Sequence, residues 1–199
     1  MNEQEKVDKT RRNLLLATSV ATGAASVGAA VPFVASMLPS ERARAAGAPV
    51  EVDISGLAPG ELGIFEWRGK QLWVMRRPKE MLDSLAQIAP KLTDPNSEVP
   101  QQPEYAKNDY RSIKPEVMVV IGVCTHLGCS PQVKGADAKA EMGADWVGGF
   151  YCPCHGSKFD VAGRVYKGSP APTNLEVPPY MFVSDTTLVI GEDKETKGA

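Results

Sequence analysis

All four cysteines and both histidines of this 199-residue chain fall in two short stretches, CTHLGC at 124–129 and CPCHGS at 152–157. Thiolate sulfur and neutral imidazole nitrogen are the donors that zinc, copper and iron-sulfur centres take. Six such residues are too many for one four-coordinate zinc, and a Cys two residues from a His is not the usual finger spacing between like ligands. A division that leaves no cysteine over uses two Cys and two His as ligands and lets the other two Cys pair. Symmetry favours one thiolate and one imidazole from each stretch, Cys124 with His126 and Cys152 with His155, which leaves Cys129 and Cys154. A disulfide between those two would clip the loops together and calls for an oxidising compartment.

CTHLGC followed by CPCHGS resembles the signature of the Rieske iron-sulfur proteins, specifically those of quinol-oxidising cytochrome bc complexes. The resemblance implies one 2Fe-2S cluster held by Cys124, His126, Cys152 and His155, with Cys129 bonded to Cys154. It implies further that Ser157 donates to a bridging sulfide and that the proline-containing stretch 168–172, with Pro170, covers the cluster. Leu127 matches a leucine at the tip that docks into a cytochrome b pocket, and His155 matches the residue that meets the substrate hydroxyl. The family's high-potential members carry a tyrosine two residues after the serine, where this chain has Phe159. Charge counting accounts for the potential such a centre reaches: two ferric ions and two sulfides carry +2, so four thiolates leave −2, whereas two thiolates and two neutral imidazoles leave zero. The potential accordingly rises from roughly −400 mV to about −150 to +300 mV.

The function implied is that of the electron-transfer subunit of a ubiquinol:cytochrome c oxidoreductase, a translocase. It would take one electron from ubiquinol, coupled to a proton through a His ligand, and pass it to a c-type cytochrome. The implied partners are a cytochrome b subunit and a c-type cytochrome subunit within a dimeric complex. A different reading is the Rieske small subunit of another periplasmic oxidase, such as arsenite oxidase. A Rieske ferredoxin or oxygenase component usually lacks the counterparts of Cys129 and Cys154, and a structural zinc module is a further alternative.

The rest of the chain exports, tethers and positions the two stretches. Residues 1–12 carry Lys6, Lys9, Arg11 and Arg12, and TRRNLL at 10–15 is similar to a twin-arginine export signal. Residues 14–38 then run without a charge, and as a helix at about 1.5 Å per residue they would span a hydrocarbon core of about 30 Å. This run is rich in Ala, Gly, Ser and Thr, and Pro32 lies inside it. The basic residues before the span favour a cytoplasmic N-terminus, a 13–38 anchor in the bacterial inner membrane, and a head at 50–199 on the periplasmic side. Residues 39–49 have linker composition, and the family uses this neck to swing the head. Ala43, Arg44 and Ala45 make a competing peptidase site that would release the head.

The fold class expected is all-β: an antiparallel β-sandwich head with an inserted cluster-binding part at about 123–172, one short helix, and an N-terminal transmembrane helix. Residues 50–54 alternate apolar and polar, and 64–67 with 71–76 flank Arg68, Gly69 and Lys70 as a hairpin. Met81, Leu82, Leu85 and Ile88 share one face of a helix that Pro78 starts and Pro90 stops. Residues 93–115 read as a loop, 117–123 as a buried strand leading to Cys124, and 134–145 as a polar surface excursion. Residues 146–151, 175–183 and 187–190 read as further strands, and 192–199 as a solvated tail. Trp67, Trp73 and Trp146 are expected in the core. A net charge of −2 and a pI near 5.8 give no basic footprint for nucleic acid.

Overall fold

The computed structural model describes residues 9–41 and 47–193, and the chain divides into two units, Met1–Ala45 and Ala46–Ala199. The central part of the neck, including the peptidase site at Ala43, Arg44 and Ala45, lies outside the described residues, as do residues 194–199 of the tail.

In the first unit, helix α1 spans Lys9–Ser36 with every residue exposed and Pro32 inside it. At about 1.5 Å per residue it is about 42 Å long, and it is long and apolar enough to cross a membrane. The hydroxyls of Thr18 and Ser36 donate to the preceding turn, at Leu14 O (3.0 Å) and Phe33 O (2.7 Å). A polar side chain in this apolar run thus keeps a hydrogen bond without needing water.

Among the described residues, nine strands make up the sheets of the second unit: β1 Val50–Asp53, β2 Leu62–Trp67, β3 Lys70–Arg76, β4 Val117–Ile121, β5 Gln132–Lys134, β6 Gly149–Cys152, β7 Ser157–Phe159, β8 Tyr180–Phe182 and β9 Thr187–Ile190. They form three antiparallel three-stranded sheets ordered β1-β9-β8, β2-β3-β4 and β5-β6-β7. The third sheet is inserted in the chain between the last strand of the second and the return to the first. That is the topology expected of a cluster-binding insertion in an all-β head.

Local chemistry explains the elements. The β2–β3 hairpin closes on two residues, Arg68 (φ 52°) and Gly69 (φ 70°), with Trp67 opposite Lys70; paired positive φ values match the right-handed strand twist. β4 is VMVVI and is buried at every residue, as a continuous apolar run requires. Its end is held by the Ile121 N–H donating to Glu176 O at 2.8 Å. Helix α2, Lys79–Ile88, buries Leu85 and Ile88, and Leu85 packs with Val161 and Ala162 just beyond β7. Trp67, Trp73 and Trp146 are all buried.

The structure departs from the sequence reading at several points, and Asp193, read as part of a solvated tail, is buried. The head has a second α-helix, α3, Lys139–Met142, of a single turn, so α2 is not its only helix. The loop at 93–115 contains a 3-10 turn, Glu104–Ala106. Strand character in 175–183 is confined to Tyr180–Phe182, because Pro178 and Pro179 lack the N–H a ladder needs. The strand expected over 146–151 begins only at Gly149, since the Trp146 indole donates sideways to Gly135 O (2.9 Å) and serves the loop instead.

A buried polar layer ties the insertion to the rest. Arg164 pairs with Asp160 at 2.7 Å, both side chains fully shielded. Arg77 and Arg111 are equally buried, and burial pulls each guanidinium down to about 10 against the opposing pull of Asp160. Each reaches a backbone carbonyl of the segment after β7, Arg77 at Val161 O (3.2 Å) and Arg111 at Ala162 O (3.2 Å), while Arg77 also donates to Tyr110 O (2.9 Å) and Ser112 Oγ (2.8 Å).

Candidate metal centre

Each box is a tight turn hung on a strand, and the two turns are built alike. Strand β4 delivers Cys124, whose carbonyl accepts from the Gly128 N–H at 3.0 Å. Strand β6 ends in Cys152, whose carbonyl accepts from the Gly156 N–H at 2.9 Å. In both cases a glycine four residues on, at φ 82° and 81°, reverses the chain in a left-handed conformation that costs other residues energy. The first turn is also closed by the Cys124 N–H donating to Cys129 O (2.8 Å). Trp73 packs against Gly122 so closely that a side chain there would meet the indole.

The two turns meet. Cys129 and Cys154 are joined by a disulfide with a Cα–Cα distance of 6.7 Å. Cys124 and Cys152 are free and buried. The His126 and His155 rings lie edge to face with centroids 4.6 Å apart; His126 is half-buried and His155 exposed. The sulfurs of Cys129, Cys152 and Cys154 lie within 4.8 Å of one another, but two of them are engaged in the disulfide and are not thiolate donors. The donor set is therefore two thiols and two imidazoles.

Burial pushes the Cys152 thiol up, and the neighbouring Cys124 thiol pushes the same way, while hydrogen bonding to the Cys154 and His155 backbone pulls it down. Two adjacent buried thiols are a poor place for free anions and a good one for a cation that deprotonates them. Two thiolates and two imidazoles fit a Rieske-type centre, in which His replaces Cys on one iron.

The loop at 168–172, expected to cover the cluster, and the residues just after it are fastened to both turns. Ser157, fully buried, accepts from the Ala171 N–H at 3.0 Å through its hydroxyl oxygen, which leaves the hydroxyl hydrogen free to be donated. The Lys158 N–H donates to Ser169 Oγ (3.1 Å), and Thr125 Oγ1 donates to Thr173 O (2.7 Å). Pro170 and Leu127 are exposed, Leu127 to 71%. Phe159 is buried and faces Phe150 across β6 and β7, with no hydroxyl to offer. Thr125 and Arg111 went unnoticed in the sequence, because they bond to backbone carbonyls 48 to 64 residues away and no motif marks such a pairing.

Comparison with known proteins gives two family matches: "Rieske [2Fe-2S] domain" over residues 100–180 and "Ubiquitinol-cytochrome C reductase Fe-S subunit TAT signal" over residues 1–40. The ubiquinol-cytochrome c reductase iron-sulfur subunit of Allochromatium vinosum is 59% identical over 189 residues, covering 94% of this chain and 91% of that protein. Its counterpart in Blastochloris viridis is 42% identical over 193 residues, covering 96% and 98%. A solved chain titled "Hyperthermophilic respiratory Complex III" aligns with a TM-score of 0.47 and 28% identity, covering 87% of this chain and 97% of that one.

Proposed function

This chain belongs to the iron-sulfur subunits of ubiquinol-cytochrome c reductase and carries a Rieske 2Fe-2S cluster, and on that premise we propose that it accepts an electron and a proton from ubiquinol and delivers the electron to a c-type cytochrome. The observation that carries this reading is that the two turns, joined by a separate disulfide, present two free buried thiols next to each other and two imidazoles whose rings lie 4.6 Å apart. Cys124, Cys152, His126 and His155 are the ligands. Held by two thiolates and two neutral imidazoles, the cluster supplies one-electron chemistry at roughly −150 to +300 mV, above the all-thiolate kind.

The chain's own residues divide the remaining work. His155 is exposed, so the ring nitrogen left outside the metal accepts a hydrogen bond from the ubiquinol hydroxyl and takes its proton; this requires that nitrogen to be unprotonated beforehand. His126, half-buried behind it, packs edge-on and limits its rotation. Ser157 keeps its hydroxyl hydrogen for a cluster sulfur, a contact that favours the more negative reduced state. Leu127 on the first turn and Pro170 on the loop after the second, both exposed, supply an apolar surface for a cytochrome b pocket and keep water from the docked substrate.

At larger scale, residues 1–12 carry the export signal, 13–38 are a retained anchor and 39–49 a neck. The head, from residue 50, faces the periplasm from the bacterial inner membrane, within a dimeric complex that holds the cytochrome b and c-type cytochrome subunits. A disulfide in the head suits that compartment.

The test is purification of the full chain from its native membrane. A complex containing b-type and c-type haem that oxidises ubiquinol supports the reading, and recovery with neither haem overturns it. In that complex, Leu127→Asp should retain the cluster spectrum while ubiquinol oxidation falls at least about tenfold, the loss expected when a buried apolar anchor is replaced by a charge. Unchanged oxidation would remove Leu127 from the docking surface.

A further inference from the structure

Among the buried arginines, Arg111 is distinguished by what it holds and by the conformation it holds it in. Its guanidinium reaches both ends of the segment that covers the metal site. Nη1 donates to Ala162 O at 3.2 Å and lies 3.5 Å from Gly163 O, at the start. Nη2 donates to Leu175 O at 2.7 Å, at the end, and to Gln102 Oε1 at 3.0 Å. The same two ends are joined by the Leu175 N–H donating to Gly163 O at 2.8 Å. Between them lie the fastenings of the loop to the cluster turns, among them Tyr166 and Ser169 to Lys158, Ala171 to Ser157 and Thr173 to Thr125.

Arg111 keeps this place against two penalties. It sits at φ 50°, a left-handed conformation unfavourable for a bulky residue. It is also fully buried, in a layer with Arg77 and Arg164 where Asp160, the one fully buried carboxylate among the described residues, is taken by Arg164. Burying a cation without its own counter-ion is disfavoured and needs hydrogen bonds in compensation. A planar fork that bonds two carbonyl groups at once supplies them, and a lysine ammonium cannot reproduce that geometry.

We propose that Arg111 is the positioning residue for the covering loop: by clamping Ala162 and Leu175 it sets the loop's base, and thereby the contact between the Ala171 amide and Ser157. The link from that contact to the reduction potential rests on the role of Ser157 given above; the clamp itself does not.

The experiment is made on the full cluster-loaded chain with Arg111→Lys, which keeps the charge and loses the fork, and Arg111→Met. Hydrogen exchange of peptides covering 163–175 should quicken about tenfold, the size that losing a hydrogen bond from a charged group produces, with exchange in β1–β3 unchanged. The reduction potential should fall in the same direction as in Ser157→Ala. The double variant Arg111→Lys/Ser157→Ala should fall no further than Ser157→Ala alone, since both act through one contact. Exchange that stays unchanged in 163–175, or rises evenly across the head, overturns the clamp. A potential that is unchanged in Arg111→Lys but lowered in Ser157→Ala overturns the coupling of the clamp to Ser157. If Ser157→Ala itself leaves the potential alone, the role of Ser157 fails while the exchange result still decides the clamp. Where Arg111→Met does not fold, Gln102→Ala removes the amide oxygen that orients the fork, together with the Nε2 bonds to Ser97 O and Val99 O, and exchange in 163–175 should still quicken, at smaller amplitude; unchanged exchange there counts against the clamp.

Discussion

Phe159 stands where the high-potential members of the family have a tyrosine, and its ring is fully buried beside the second box. A hydroxyl there would donate toward a ligand sulfur and favour the reduced state. Phe159→Tyr should therefore raise the midpoint potential in a redox titration, and an unchanged value would remove Phe159 as a tuning position. Tyr166 is the opposite case, a hydroxyl with no hydrogen-bond partner among the described residues, its ionisation pushed up from 10.0 by burial and then by Asp160. The unfolded chain ionises first, so this group's contribution is intact below about pH 10 and lost as pH rises toward the folded value. Tyr166→Phe should raise stability by up to about 1 kcal/mol at neutral pH, because an unpaired buried hydroxyl is removed. It should also flatten the fall in stability above about pH 10; urea unfolding across pH checks both. At this scale the donors were legible because every Cys and His lies in two stretches. Arg111 and Thr125 were not, since their bonds run to backbone carbonyls 48 to 64 residues away.

Among the elements, the paired turns account for most of the site's geometry, and the disulfide fastens them directly across a sequence separation of 25. A cross-link of that span is worth about 3 kcal/mol in the chain-entropy account. Reducing it, or making Cys129→Ser with Cys154→Ser, should lower the chain's unfolding free energy by about that amount. Calorimetry that found no change would mean that the loop fastenings at Ser157, Ser169 and Thr125 hold the turns by themselves. The elements read correctly from sequence were those with a strong period or a special turn: the buried run of β4, the β2–β3 hairpin and the α2 face. Strands β5 and β7, of three residues each, and the single turn of α3 were missed because so few residues carry no resolvable period. What defines those strands is pairing with β6, a tertiary fact.

Considered as a whole, the molecule joins an apolar helix to an all-β head, and its insertion brings two distant stretches together through the Cys129–Cys154 disulfide. The apolar helix and the all-β head were legible because a run without charges and a β-patterned region differ in composition. The layer of Arg77, Arg111, Asp160 and Arg164 was not, because sequence rules send charged residues to the surface. In the function proposed, Cys124, Cys152, His126 and His155 together hold one 2Fe-2S centre while Cys129 and Cys154 hold each other. Pulsed electron paramagnetic resonance of the dithionite-reduced full chain tests that claim most directly. Two distinct nitrogen couplings on a half-integer-spin signal are the predicted result; a signal with no nitrogen coupling, or no signal from a metal-loaded chain, would contradict it.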